Sequence, residues 1–224
     1  MALQNMTEHH FTVQRTARYY TLGQLTSKTR HVWFCLHGFG QLARYFSRKF
    51  TDFANEETYI VVPEGLSRLY LNGAYDRVGA SWLTREDRDV EIQDFLAYLN
   101  GLYDHILAGR SPETLQITLL GFSQGAATAC RWLANEHIRV DRLVLWAGFF
   151  PNGFADMIDP ARLATVDAHY VYGRQDEYIR DMPDPQVYID QIQRHAPGLR
   201  ITAYEGGHRV EPAVLKEVLL SGST

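Results

Sequence analysis

Cysteines and long apolar runs are what this sequence most clearly lacks. Its 224 residues include only two cysteines, Cys35 and Cys130. Two thiols cannot supply a four-ligand zinc site, and they give no disulfide framework of the kind that staples small secreted domains. No apolar run approaches the roughly 18 residues that a transmembrane helix needs. We therefore predict no membrane-spanning helix, and we interpret both cysteines as small buried hydrophobic residues.

Clusters of like charge are also missing. The 22 lysines and arginines are scattered among 26 aspartates and glutamates, and the net charge is −4. Without a basic block the sequence gives no reason to expect a nucleic-acid partner. The N-terminal segment carries Glu8, Arg15 and Arg18, and it has no continuous apolar stretch for a signal peptide. A cytoplasmic location is the resulting expectation.

What the sequence does contain is typical of a soluble globular protein, with 46% hydrophobic and 21% charged residues. The length is compatible with one domain over residues 1–224, and no linker interrupts it. After residue 30, strands and helices alternate, which predicts an α/β fold with a mostly parallel central sheet and helices on both faces. Earlier, alternating side chains in residues 11–15 and 19–22 predict an antiparallel N-terminal hairpin that turns near Ala17.

The predicted elements of the alternating region are short strands and longer amphipathic helices. The strands cover residues 32–36, 59–62, 116–120, 142–146, 169–172 and 200–204, and the helices cover residues 42–55, 89–108, 125–136, 186–195 and 212–220.

The segment Gly121-Phe122-Ser123-Gln124-Gly125 joins a predicted strand to a predicted helix. A serine between two glycines at such a junction indicates a nucleophile elbow, a tight turn that lifts the serine oxygen clear of the backbone. The helix that follows adds positive dipole and free N–H groups beside that oxygen. The alternative is an ordinary glycine-rich turn with a solvated serine, so the interpretation depends on partners elsewhere in the chain.

A second glycine-rich turn, His37-Gly38-Phe39-Gly40, follows the first strand of the alternating region. An enzyme that transfers acyl groups holds the oxyanion of its tetrahedral intermediate with preorganised N–H groups, and glycines let a loop backbone approach the substrate. We predict the N–H groups of Phe39 and Gln124 as these two donors. His37 is interpreted as a brace for the loop; its alternatives are a capping residue at a strand exit and the general base.

Asp176 and His208 follow the last two predicted strands. Of the nine histidines, only His208 both follows the serine and a suitable acid and comes directly after two glycines, which let its loop fold back over Ser123. The order serine, acid, histidine is that of α/β hydrolases, and neither chymotrypsin-like nor subtilisin-like enzymes use it. We predict Asp176 as the acid because it lies nearest the rigid strand end. Its rivals are Glu177, Asp181 and Asp184.

These spaced motifs resemble those of the phospholipase/carboxylesterase family of serine hydrolases, which includes acyl-protein thioesterases and small bacterial carboxylesterases. The likeness runs from about residue 31 to residue 213, and residues 147–151 look like the family's small-residue and proline exit from a strand. Family members commonly have an acidic residue after the oxyanion motif, whereas Gln41 stands there in this chain. The resemblance implies an α/β-hydrolase fold and a triad of Ser123, Asp176 and His208.

Two loops that leave predicted C-terminal strand ends are rich in apolar side chains, residues 66–88 and 149–158. From them we predict Trp82, Phe149 and Phe150 as residues that bind the substrate. The alternative is that these rings close the upper edge of the core.

We therefore expect a serine hydrolase that cleaves carboxylic esters or thioesters with apolar, short-to-medium acyl groups and needs no cofactor. No metal site is predicted, because Asp52, Asp87 and Asp89 lack partners at useful spacing. Two alternatives stay open: a small-molecule receptor that has kept a hydrolase scaffold, and a peptidase or acyltransferase with the same triad. The expected partner is a small-molecule ester or thioester, and the expected assembly is a monomer or homodimer.

Overall fold

A seven-stranded sheet lies at the centre of this computed structural model, which describes residues 6–220. The strands in those residues are β1 Tyr19–Leu22, β2 His31–Leu36, β3 Thr58–Pro63, β4 Ser67–Tyr70, β5 Val78–Ser81, β6 Gln116–Phe122, β7 Arg142–Trp146, β8 Asp167–Gly173 and β9 Arg200–Tyr204. The large sheet has the order β1-β3-β2-β6-β7-β8-β9, and all of its neighbours are parallel except β1 and β3. The predicted mostly parallel sheet is confirmed.

Helices cover both faces of this sheet, as predicted. The α-helices are α1 Ala43–Phe46, α2 Arg88–Ile106, α3 Gln124–Ala134, α4 Pro160–Leu163, α5 Glu177–Arg180, α6 Pro185–His195 and α7 Pro212–Leu220, and 3-10 helices span Ser47–Phe53 and Pro112–Thr114. Side chains alternate along each strand, so Val32 and Phe34 pack with α2 and α3 on one face, while Trp33 and Cys35 pack with α1 and α7 on the other.

No helix within residues 6–220 has the length and apolar character needed to cross a bilayer.

Both cysteines are buried and free, as predicted. Burial raises the pKa of the Cys130 thiol to about 12 and that of Cys35 well above its usual value. The two thiols are therefore protonated at neutral pH.

The antiparallel arrangement at the N-terminus is present, but its partners differ from the predicted detail. β1 pairs antiparallel with β3, with Tyr19 opposite Pro63, and residues 11–15 form no strand. Phe11 and Val13 are 89% and 70% exposed, so the alternation in this segment has no buried face to match it. β1 is the edge strand of the sheet, and no strand of residues 6–220 pairs with its outer side.

The loop predicted over residues 66–88 contains structure of its own. β4 and β5 form an antiparallel hairpin there, and Ala80 of β5 forms an isolated bridge with Gln41. The bridge ties this hairpin to the turn after β2. The segments after β2, β6, β8 and β9 all leave the same edge of the sheet, because these strands run parallel.

Candidate active site

The turn between β6 and α3 has the geometry of a nucleophile elbow. Ser123 has φ 54° and ψ −117°, a strained conformation for a residue with a side chain. A Cβ on Gly121 would lie 2.2 Å from the carbonyl oxygen of Gly125, and a Cβ on Gly125 would lie 2.3 Å from that of Leu36. Both glycines are thus required sterically, which explains the spacing seen in the sequence.

Ser123, His208 and Asp176 form one continuous hydrogen-bonded chain. The distance from Ser123 Oγ to His208 Nε2 is 2.9 Å, and His208 Nδ1 lies 2.7 Å from Asp176 Oδ2. In this arrangement Nδ1–H donates to the carboxylate, which leaves Nε2 free to accept the serine proton. The three predicted residues are therefore brought together from three separate turns of one sheet edge.

The loop after β8 fixes the Asp176 carboxylate, the last member of this series of hydrogen bonds. Asp176 is 1% exposed, and its second oxygen, Oδ1, accepts a hydrogen bond of 3.0 Å from the N–H of Tyr178 at the start of α5. The rival carboxylates are engaged elsewhere: Asp181 pairs with Arg180, and Asp184 caps α6. Glu177, the third rival, is exposed on α5.

Two aromatic rings hold the imidazole of His208. The ring centroid of Phe122 lies 4.9 Å from it and that of Tyr178 lies 4.8 Å from it. The His208 side chain keeps 18% exposure. It can therefore exchange protons with a substrate while its orientation stays fixed.

His37 braces the turn after β2 from beneath. Its Nδ1–H donates to the carbonyl of Gly38 at 2.8 Å, and its Nε2 accepts from the N–H of Gly65 at 2.9 Å. Burial lowers the pKa of His37 and outweighs the opposite effect of the Gly38 carbonyl, so the ring is neutral. Because both ring nitrogens are engaged, a role for His37 as general base has no support in this geometry.

The turn itself passes directly over the elbow. A Cβ on Gly38 would lie 3.1 Å from Ser123 Cβ, and the Gly38 N–H donates to Gln41 Oε1 at 3.0 Å. Gln41 therefore closes this turn with its side-chain oxygen, a role that an acidic side chain could also fill.

The two predicted oxyanion donors are unpaired. The Phe39 N–H makes no hydrogen bond to any of residues 6–220. Gln124 is the first residue of α3, and N–H groups of a first helical turn have no intrahelical acceptor. Both N–H groups are therefore free to receive an anionic oxygen near Ser123.

The side chain of Gln124 holds the loop that carries Trp82. Its Oε1 accepts from the Trp82 N–H at 3.0 Å, and its Nε2 donates to the carbonyl of Leu83 at 2.8 Å. The Trp82 indole N–H donates in turn to the His37 carbonyl at 2.8 Å. Trp82 is 2% exposed, so its ring supports the turn at residues 37–40 from the core and offers almost no surface to a substrate.

The other two predicted pocket residues occupy different environments. Phe150 is 0% exposed and packs 4.7 Å from the ring of Phe154, so like Trp82 it closes the core, the alternative to a direct substrate contact. Phe149 is 48% exposed. It lines a cavity of about 220 Å³ beside α3, together with Leu83, Gln124, Ala127, Arg131, Pro151, Asn152, Gly153, Asp156 and Met157.

One group of side chains in residues 6–220 has the composition of a metal site, and it does not include the triad. Glu8, His10 and Asp87 place one ligand atom each within 4.8 Å of one another, and all three are exposed. Asp87 thus has partners in space that its sequence neighbourhood did not reveal. The hydrogen bond to Asp87 and its charge raise the pKa of His10.

Solved structures with this fold are numerous. The acyl-protein thioesterase 2 of Zea mays has a TM-score of 0.67 and 18% identity over 92% of this chain and 97% of that chain. Esterase PE8 has a TM-score of 0.57 and 18% identity over 91% and 100%, and TT1662 from Thermus thermophilus has 0.61 and 15% over 92% and 98%. At these identities the likeness shows the α/β-hydrolase fold, which confirms the predicted fold class.

Sequence comparison identifies the family. No curated protein sequence is similar enough to this chain to count as a match. The profile of the family described as Serine hydrolase (FSH1) matches residues 26–213, a range that includes the turn at residues 37–40, Ser123, Asp176 and His208. The predicted relation to carboxylesterase-like α/β hydrolases is borne out. This chain belongs to the serine hydrolase (FSH1) family.

Proposed function

We propose that this protein hydrolyses carboxylic esters or thioesters with short-to-medium acyl groups through an acyl-enzyme on Ser123. The observation that carries the proposal is the chain of hydrogen bonds from Ser123 Oγ through His208 to Asp176, at 2.9 and 2.7 Å. A serine hydroxyl is a weak nucleophile until an adjacent base takes its proton, and this chain supplies that base with its orientation fixed.

In the acylation step, Ser123 Oγ attacks the carbonyl carbon while His208 Nε2 takes the hydroxyl proton. The carbonyl oxygen becomes an oxyanion, and the free N–H groups of Phe39 and Gln124 donate to it. The α3 dipole favours negative charge at the same point. His208 then gives its proton to the leaving alcohol or thiol, and the carbon–heteroatom bond breaks.

In the deacylation step, water takes the place of the leaving group. His208 removes a proton from the water, the resulting hydroxide adds to the acyl carbon, and the same two N–H groups hold the second oxyanion. Return of the proton to Ser123 Oγ releases the carboxylic acid. Asp176 keeps its negative charge throughout and stabilises the imidazolium that forms in each step.

The acyl group is assigned to the cavity beside α3. Leu83, Ala127, Phe149 and Met157 give it apolar walls, and its volume of about 220 Å³ lies below the roughly 300 Å³ at which drug-sized sites begin. An acyl chain of limited length with an apolar stem fits these walls.

A covalent serine probe separates this proposal from a receptor function. The enzyme should be labelled by a fluorophosphonate at one site, Ser123, and should turn over a simple aryl ester, whereas Ser123→Ala should do neither. Binding of esters without labelling or turnover would favour the receptor. A peptidase or acyltransferase would be labelled too, so amide substrates and alcohol acceptors are compared with the ester at equal concentration.

A further inference from the structure

The cavity beside α3 has one charged residue on the helix that begins at the nucleophile. Gln124, Ala127 and Arg131 all line it. They stand three and four residues apart, so they lie on one face of α3. A substrate acyl group that extends from Ser123 along this face meets apolar Ala127 first and then the guanidinium of Arg131.

The guanidinium of Arg131 is poorly compensated. Its one hydrogen bond among residues 6–220 is to its own helix, from Nη1 to the carbonyl of Ala127 at 3.2 Å, and it forms no ion pair there. A guanidinium has five N–H donors, so most of them are left without a partner. The residue is only partly exposed, and partly buried cations without partners are energetically costly.

The charges around Arg131 do not neutralise it. Asp156 lines the same cavity, but its carboxylate is 54% exposed and lies 3.9 Å from Arg88. Burial and the charge of Arg88 lower the pKa of Arg131, and Asp156 only partly opposes them. Among the described residues, Asp156 is the one carboxylate in the lining of this cavity, and its ion pair is with Arg88, which also pairs with Asp89 at 3.6 Å.

We infer that the acyl group of the natural substrate ends in a carboxylate, which Arg131 binds, so that the substrate is a half-ester or half-thioester of a short dicarboxylic acid. This inference rests on the proposed function and specifies its substrate. The bond from Arg131 to Ala127 places the guanidinium near a residue four positions after Ser123, a rise of about 6 Å. At the roughly 1.2 Å per bond of an extended chain, about five bonds span that distance. Acids of five or six carbons match it.

The test compares three phenyl esters that share a leaving group. Monophenyl adipate carries the carboxylate, phenyl hexanoate lacks it, and the phenyl ester of monomethyl adipate has the polar end without its charge. We expect the wild type to show a kcat/KM at least about tenfold higher for monophenyl adipate than for either neutral ester, the size of one charge-assisted hydrogen-bonded pair.

Variants of Arg131 test whether this residue causes the preference for monophenyl adipate. Arg131→Met should remove the tenfold preference, mainly by raising the KM for monophenyl adipate. Arg131→Lys should keep part of it, because the ammonium keeps the positive charge but lacks the planar set of donors of a guanidinium. Arg194→Met is the matched control. Arg194 also donates to the carbonyl four residues earlier in its own helix, but it is exposed on α6. That variant should keep the wild-type preference.

Equal rates on charged and neutral esters, or equal losses on both in Arg131→Met, would overturn the inference while leaving the hydrolase proposal intact. Failure of the wild type to cleave any ester would count against the proposed function instead. Binding then decides the inference separately: monomethyl adipate should raise the melting temperature of Ser123→Ala, and should have no such effect on the variant that also carries Arg131→Met. No shift in either protein would refute the site.

Discussion

A histidine and an aspartate meet at each end of strand β8, and the two pairs are built differently. At the carboxyl end, His208 is 18% exposed and hydrogen-bonds to Asp176 and Ser123. At the amino end, His169 is 1% exposed, and its Nε2 lies 3.2 Å from Asp167 without forming a hydrogen bond. Asp167 is already paired with Arg142 and Arg200.

The difference shows that a histidine beside a carboxylate is not by itself a catalytic arrangement. Burial and the charge of Arg142 lower the pKa of His169 to about 4, so this ring is neutral at pH 7, and its Nε2 makes no hydrogen bond among residues 6–220. His208 has an acceptor on one nitrogen, a hydroxyl on the other and access to solvent. The three features together, rather than the pair, support a role in proton transfer.

The largest expected effect is a loss of activity when the residues at the carboxyl end of β8 are changed. Ser123→Ala and His208→Ala should each lower kcat by at least about a thousandfold, because the members of a triad act as one unit. Hydrolysis of an aryl ester measures the loss, and circular dichroism checks the fold. His169→Leu is the control, and it should keep kcat within about threefold. Near-normal turnover by either triad variant would remove that residue from the proposed mechanism.

A smaller effect separates the acid from its neighbour in sequence. Asp176→Asn should lose at least about a hundredfold in kcat, because an amide cannot fix the Nδ1–H tautomer of His208 or stabilise the imidazolium. Glu177→Gln alters an exposed side chain one residue later, and this variant should stay within about threefold. Comparable losses in the two variants would place the acid elsewhere.

At the amino end of β8, we expect His169 to make the stability of the protein, and not its activity, depend on pH. The folded pKa of His169, about 4, lies below the ordinary value of 6.5, so folding favours the neutral ring. Above pH 6.5 the neutral ring makes its full contribution to the free energy of unfolding. That contribution is lost as the pH falls toward 4, and the loss is roughly 3 kcal/mol at about 1.4 kcal/mol per pH unit. Urea unfolding at pH 7 and pH 4.5 should show this decrease, and His169→Leu should show a shallower one. An identical slope in the variant would mean that other groups cause it.

The sequence predicted the parts of the site that local patterns encode. The two glycines around Ser123 are required by contacts of 2.2 and 2.3 Å, and such steric demands leave a readable spacing. The parallel strands after residue 30 were readable because each is a short apolar or alternating segment that ends in a turn. These two signals place Asp176 and His208 at the same sheet edge as the serine.

What the sequence could not predict depends on contacts between distant residues. Trp82 is an aromatic residue in an apolar loop, which is typical of a pocket. Its hydrogen-bond partners His37 and Gln124, however, lie 45 and 42 positions away in the sequence and hold it in the core. Residues 11–15 alternate like a strand, but Phe11 and Val13 are 89% and 70% exposed, so no buried face stabilises a strand there. Arg131 looks like a solvated helix residue until the fold places a cavity over it.

The smallest expected effect concerns how far the acyl group reaches from the carboxyl end of the sheet. With neutral esters of one alcohol, each added methylene should raise kcat/KM by up to about fourfold, the equivalent of about 0.8 kcal/mol, until the cavity is full. Phe149→Ala should move that limit to longer chains, because this half-exposed ring lines the cavity. Phe150→Ala is the contrast: its ring is buried against Phe154, so the variant should lose about 3–5 kcal/mol of stability and keep the same limit. A flat profile that Phe149→Ala leaves unchanged would mean that the acyl group binds outside this cavity.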